Sequence, residues 1–180
     1  MSTERVIIPT GLVGDFTRAL KQAANKGSDR FRQGSLEALY SNTSARRINS
    51  LVDDAVKQGA EVIIGGPMVG EALQSTLDQA NYPITVLGNV TRDMAIWREE
   101  TFGPLVILSS IPSTTGDFSE AQTSLDDAVT LAANDSAYGL AASIYSKDIG
   151  RALEIAGRLE TGMVRINAGT VGDDPTVVFG

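Results

Sequence analysis

Short β-branched runs alternate with amphipathic stretches along the whole chain. Residues 5–9 (Arg-Val-Ile-Ile-Pro) are a compact apolar run closed by proline and predict a strand. Over 11–26, Leu12, Phe16, Ala19, Leu20 and Ala23 recur at helical spacing, with Gly27 as a stop. Residues 28–42 are polar and read as a loop or irregular crossing. The clearest helical pattern spans 44–58, where Ile48, Leu51, Val52, Ala55 and Val56 share one face and Gly59 follows. A buried-type strand over 61–64 breaks at Gly65-Gly66-Pro67, a short helix is predicted over 70–80, and a strand over 84–90. Gly103-Pro104 opens the most apolar run, 105–108.

The run 113–122 is rich in Ser, Thr and Gly and predicts a loop. Ser124 is then expected to cap a helix, with Asp127 in the capping-box position, that ends near Ala133. A strand over 140–145 leads to Asp148, a predicted cap for a helix carrying Ala152, Leu153, Ala156 and Leu159. Thr161-Gly162 separates that helix from a strand over 163–167, and 168–180 shows no period. This alternation predicts an α/β fold, a layered domain with a mostly parallel sheet flanked by helices. No repeat and no dividing linker is visible, so a single domain over 1–180 is expected.

Composition narrows the chemistry. The 180 residues are 42% hydrophobic and 21% charged, ordinary for a globular domain that buries roughly two-thirds of its unfolded surface. A net charge of −7 with scattered basic residues argues against a nucleic-acid partner. Arg46-Arg47, the nearest approach to a basic cluster, is followed by Asp53-Asp54 and reads as a solvated helix face. With no signal-like apolar segment and no stretch near the ~18 residues of a membrane span, a cytoplasmic protein without membrane association is expected. The chain contains no Cys and no His. That excludes a thiol nucleophile, a disulfide, a thiolate metal site, an imidazole base and a Ser-His-Asp triad. Chemistry at neutral pH is left to carboxylates, Lys, Arg, Tyr, Ser and Thr, or to an outside cofactor; no metal site is predicted.

Three segments carry candidate chemistry. Gly65-Gly66-Pro67-Met68-Val69-Gly70 follows a strand but lacks both the Lys-Ser/Thr of a phosphate loop and the spacing of a dinucleotide fingerprint, so a glycine turn is the reading. Glu99-Glu100-Thr101-Phe102-Gly103-Pro104 sets two carboxylates and an aromatic just before the most apolar strand; alone, it is a turn with solvated acids. Asn134-Asp135-Ser136-Ala137-Tyr138-Gly139-Leu140 leaves a helix for a strand, and the polar run from Asn167 to Asp174 follows a strand end, where loops often carry binding groups. Neither alone implies chemistry.

Together these segments resemble the later part of the catalytic domain of the aldehyde dehydrogenase superfamily, over essentially all 180 residues. The resemblance is closest to members acting on aromatic aldehydes, the vanillin and salicylaldehyde dehydrogenases. Glu99-Glu100-Thr101-Phe102-Gly103-Pro104 matches the family's E-E-x-F-G-P, and Asn134 with Tyr138-Gly139-Leu140 matches A-N-x-x-x-Y-G-L. Gly162-Met163-Val164 with Asn167 matches G-x-V-x-x-N, and Phe179-Gly180 matches the start of P-F-G-G. The resemblance implies that Glu100 holds a nicotinamide ribose and that Phe102 and Leu140 pack near the nicotinamide. It places Asn167, Thr170 and Asp173 on the loop bordering the substrate channel. Gly172 stands where relatives often have His, and Val178 replaces the usual Pro. The opening Met-Ser-Thr-Glu-Arg matches the segment just after the family's catalytic cysteine. The cysteine, the Rossmann domain and its glutamate base therefore belong before Met1 in the family pattern, and a K-x-S-G segment belongs after Gly180.

The expectation is a truncated aldehyde-dehydrogenase-like protein that does not oxidise aldehydes as encoded, since the family's chemistry needs a thiol nucleophile. Three readings stay open, the first being the leading one and the others its alternatives. The first is a repurposed cofactor-independent enzyme, an isomerase, cyclase or lyase acting on an aromatic or polyketide-like small molecule. Its candidate acid–base groups are Glu99, Glu100, Tyr138 and Asp173, and its substrate contacts are Phe102, Leu140, Asn167 and Thr170. The second is a non-catalytic subunit or pseudoenzyme. The third is a fragment of an NAD(P)-dependent aldehyde dehydrogenase, in which Glu100 and Phe102 serve the cofactor; no cofactor is expected under the other two. A homo-oligomer, most simply a dimer, is expected from exposed apolar surface and sheet edges.

Overall fold

The computed structural model describes residues 3–26, 38–70, 75–76, 78–112 and 118–170. Contacts divide the chain into two compact units, an N-terminal unit, Glu4–Ser110, and a C-terminal unit made of Ile111–Gly180 with Met1–Thr3.

The N-terminal unit holds β1 (Arg5–Pro9), α1 (Thr10–Lys26), α2 (Asn42–Lys57), β2 (Glu61–Ile64), β3 (Thr85–Gly88), the one-turn helix α3 (Ala95–Arg98) and β4 (Leu105–Ile111). Its sheet has the order β1-β4-β3-β2. β3 runs parallel to β4, with Thr85 opposite Leu105, and antiparallel to β2, where the register shifts between Val62 and Ile64. β4 is buried on both faces, as the apolar run predicts. Leu105 and Ile107 join Ile48, Leu51, Val52 and Ala55 of α2, together with Leu87, Met94 and Trp97, in one core. The alternate side chains, Val106 and Leu108, pack with Ile8, Val86 and, from α1, Val13 and Leu20. Helix α2 begins at Asn42, two residues before the predicted start, because the Ser41 side chain accepts the backbone N–H of Ser44 and so caps the exposed first turn.

The C-terminal unit holds α4 (Phe118–Asn134), β5 (Ala141–Ile144), α5 (Ile149–Ala156) and β6 (Met163–Ile166). β5 and β6 pair in parallel, from Ala141 opposite Met163 to Ile144 opposite Ile166. Asp148 caps α5 as expected, accepting the N–H of Arg151 at 3.0 Å. The Arg151 guanidinium in turn grips both carboxylate oxygens of Asp126 on α4, with Nε at 2.8 and 2.9 Å. The registered pairs in both units are mostly parallel and flanked by helices, an α/β layered fold.

Two boundaries differ from the sequence reading. The loop expected over 113–122 gives way to helix from Phe118, so Ser124 lies inside α4 rather than at its cap. Residues 118–122 (Phe-Ser-Glu-Ala-Gln) contain neither Gly nor Pro, and their weak formers are tolerated once the helix is nucleated. α5 stops at Ala156, short of Leu159, because the glycine at its C-cap disfavours helix and the next turn is held from outside, by Asn134. Of the helix predicted over 70–80, residues 75, 76 and 78 are helical and 79–80 form a turn, while 71–74 and 77 lie outside the described residues, as do most of 28–42 and the tail after Thr170. No helix among the described residues is long and apolar enough to cross a membrane.

Candidate functional site

The Glu99–Pro104 segment is the turn from α3 into β4, and two distant side chains fix its backbone. Arg47, on the exposed side of α2, donates through Nη2 to the carbonyl oxygens of Glu100 and Thr101, both at 2.9 Å. Glu4, just before β1, accepts from the other side. Its Oε1 receives the backbone N–H of Thr101 at 2.9 Å, the Thr101 hydroxyl at 2.9 Å and the N–H of Phe102 at 3.2 Å. The peptide units 100–101 and 101–102 are therefore each held at both ends, the oxygen by a guanidinium and the N–H by a carboxylate. Such charge-assisted bonds are the stronger kind, about 1.5–3 kcal/mol each where water is excluded. Trp97, on the helix before the turn, is buried and carries the Arg5 guanidinium 4.9 Å above its ring.

This clamp sorts the side chains it presents. Glu99 Oε2 is 3.3 Å from Arg47 Nη1, an exposed ion pair that occupies the carboxylate and contributes little stability. The Glu100 carboxylate is half-buried, and no partner for it is recorded among the described residues. Phe102 adopts φ +50°, the left-handed region that side chains other than glycine rarely occupy, and its ring is 75% exposed. An apolar ring held outward in a strained backbone, beside a carboxylate that no described residue engages, has the character of a binding feature. A carboxylate can accept hydrogen bonds from a ligand's donors and a phenyl ring can cover an apolar or flat group.

In the C-terminal unit the motif residues divide into scaffold and surface. Asn134 bridges the turn before β6: its Nδ2 donates to the Arg158 carbonyl at 2.9 Å and its Oδ1 accepts the Glu160 N–H at 3.0 Å. Gly139 lies beneath the same turn, where a β-carbon would come within 2.4 Å of the Glu160 carbonyl oxygen. Tyr138 and Leu140, 52% and 57% exposed, flank that glycine at the entrance to β5. Asn167 follows β6 at φ +55°, with Oδ1 accepting the Ser146 N–H and Nδ2 donating to the Ser146 carbonyl, each at 2.9 Å. Thr170 shares a 3.1 Å hydroxyl contact with Thr3.

Because β5 and β6 are parallel, Tyr138 and Leu140 stand at one end of the strand pair and Asn167 and Thr170 at the other. Four residues of strand, ~13 Å, lie between. The structure thus brings Glu99, Glu100 and Phe102 together on one turn, keeps Tyr138 and Leu140 apart from Asn167 and Thr170, and leaves Asp173 outside the described residues.

The sequence reading missed Glu4 and Arg47. The charge pattern puts Arg47 on a solvated face, and nothing local in the sequence ties it to a turn 53 residues away. Gly65-Gly66 is a turn, as expected. The Gly66 N–H donates to the buried Thr85 hydroxyl and its carbonyl accepts from the Tyr82 hydroxyl, so neither is directed at a ligand. Among the described residues no three acidic side chains gather as a metal site.

Comparison with known proteins gives relatives over the whole chain. The profile of the aldehyde dehydrogenase family matches residues 1–180. A vanillin dehydrogenase of Pseudomonas fluorescens is 36% identical over 183 residues, covering all of this chain and 34% of the relative. A salicylaldehyde dehydrogenase of Pseudomonas putida is 33% identical over 184 residues, with the same coverage. The crystal structure of a salicylaldehyde dehydrogenase from Pseudomonas putida G7, complexed with salicylaldehyde, superposes with a TM-score of 0.73 at 30% identity, covering 95% of this chain and 32% of that one. The chain therefore spans about a third of the length of the relatives it matches.

Proposed function

The chain belongs to the aldehyde dehydrogenase family, and from that premise we propose that these residues are the part of an NAD(P)-dependent oxidoreductase for aromatic aldehydes that serves the nicotinamide end of the cofactor. The observation that carries this reading is the Glu99–Phe102 turn, with a half-buried Glu100 carboxylate that no described residue engages beside an outward phenyl ring. Glu100 accepts from the ribose hydroxyls and Phe102 lies against the nicotinamide. Asn167 and Thr170, which follow β6, are the substrate-bordering positions of the family pattern. NAD(P)+, when bound, supplies the hydride acceptor for oxidation of an aldehyde to an acid. This chain's residues bind and orient, and nothing in the family match supports the cofactor-independent isomerase or cyclase. The names of the vanillin and salicylaldehyde relatives support an aromatic substrate.

The test is titration of the chain with NAD+ and NADP+, followed by ligand-observed NMR. A carboxylate–ribose contact is worth about 1.5–3 kcal/mol and cannot replace a pyrophosphate grip, so a dissociation constant in the millimolar range is expected. Glu100→Gln is expected to weaken it about tenfold, one charged hydrogen bond's worth. Absence of binding to the unaltered chain, or binding indifferent to Glu100, would overturn the assignment.

A further inference from the structure

We infer that Glu4 and Arg47 are the positioning residues of this site: they set the direction of the Glu100 carboxylate and the left-handed presentation of Phe102, and so control nucleotide affinity without touching the nucleotide. The inference rests on the cofactor reading above for its ligand, and on geometry alone for the positioning.

Rotation of a peptide plane swings its oxygen and its N–H in opposite directions, so gripping both ends fixes the plane. At 100–101 and 101–102 the oxygens go to Arg47 Nη2 and the N–H groups to Glu4 Oε1. Those two planes bound the Thr101 backbone, and the second is the reference plane from which φ of Phe102, at +50°, turns the chain toward β4. The third bond into Glu4 Oε1, from the Thr101 hydroxyl, anchors a residue that is almost wholly buried. The turn therefore has a fixed inner side at Thr101 and two presented side chains, Glu100 and Phe102, one to each side of it. Arg47 Nη1 also holds Glu99, which leaves Glu100 as the carboxylate of the pair that no described residue engages. All three donors converge on a single oxygen of Glu4. A glutamine amide oxygen can accept the same three bonds, whereas alanine accepts none.

Two measurements on the intact chain test this: amide hydrogen exchange at Thr101 and Phe102, and NAD+ binding by ligand-observed NMR. Glu4→Ala is expected to speed exchange at these two amides by about tenfold or more, with the β4 amides unchanged, because only the local opening becomes easier. The same variant is expected to weaken NAD+ binding about tenfold, since the competent turn becomes a minor conformer. Glu4→Gln is expected to keep both properties within about threefold of the unaltered chain, the loss of charge assistance being the sole change. Arg47→Lys, which cannot serve two carbonyls and a carboxylate in the same planar fork, is expected to shift both readouts in the same direction as Glu4→Ala and decides the matter if that variant does not fold. Unchanged exchange in Glu4→Ala or Arg47→Lys overturns the inference, as does faster exchange with unaltered NAD+ affinity. Failure of the unaltered chain to bind NAD+ overturns the cofactor reading instead, and the positioning role then stands or falls on the exchange rates.

Discussion

A β-carbon built on Gly103 would lie 2.2 Å from Cδ1 of Ile48, a fully buried side chain of α2; the next nearest atom, Ile48 Cγ1, would be at 3.4 Å. The glycine of the turn is thus required by one methyl group across the core rather than by its own backbone angles. Gly103→Ala inserts a methyl into packed space at a steric cost of ~1–3 kcal/mol. The smaller conformational freedom of alanine in the unfolded chain offsets ~0.4–1 kcal/mol of that cost. Ile48→Val deletes Cδ1 and should cost ~0.5–1.5 kcal/mol. With Cδ1 gone the new methyl meets only an ordinary contact, so the double variant should be about as stable as Ile48→Val alone. The expected coupling in the double-mutant cycle is therefore about 1–2 kcal/mol. Urea unfolding followed by the fluorescence of Trp97 reads it directly, because this single tryptophan lies in the same core cluster. At a slope of about 2 kcal/mol per molar urea, the coupling is a midpoint difference of about 0.5–1 M. If the two costs simply add, the Cδ1 contact is not why glycine stands there.

Asn134→Ala should lower stability by about 1–2 kcal/mol through two lost hydrogen bonds to a partly solvated turn; Asn134→Asp should cost more, by turning a carboxylate oxygen toward the Arg158 carbonyl, and thermal unfolding of the two variants gives the order. Burial pushes the Tyr82 phenol up from its usual value. Its neutral form is favoured by folding, so the stability it contributes is complete below the unfolded value of about 10 and declines as pH rises above it. Urea midpoints between neutral and alkaline pH should show that decline in the unaltered chain and a smaller one in Tyr82→Phe. Self-association is a further proposal: α5 leaves Ile149 and Leu153 exposed on adjacent turns of one face, and Tyr145 is exposed just before it. Light scattering at micromolar concentration should give a dimer, and a monomer would refute it.

The elements written by local chemistry were the legible ones. Helix α2 announced itself through five apolar residues on one face and a following glycine. Asp148 was recognisable as a cap because its partner, Arg151, is three residues away. The antiparallel pairing of β2 was not readable, since nothing in a four-residue apolar strand encodes the direction of its neighbour. Helix α3 escaped because a single turn has no period to detect. The candidate site divided in the same way. The Glu99–Pro104 segment stood out as a local string, but what gives it a shape comes from Glu4 and Arg47, 97 and 53 residues from the atoms they hold. Asn134 and Gly139 were legible as motif letters, yet only the structure shows them holding the turn before β6 rather than facing a ligand.

The clamp also has a kinetic side. Glu4 meets Phe102 only by closing a loop of nearly a hundred residues, at an entropic cost of about 4 kcal/mol from chain length alone. Contacts of that span belong late in folding, after the local helices and the β3–β4 pairing have shortened the effective loop. During synthesis, at roughly 5–20 residues per second, Glu4 waits about 5–20 s before its partner has even been made. Until then its carboxylate and the Arg47 guanidinium are solvated charges with nothing to hold. The turn that presents Glu100 and Phe102 therefore matures only when the N-terminal unit closes, and a nascent or partly unfolded chain carries the residues of the site without its geometry.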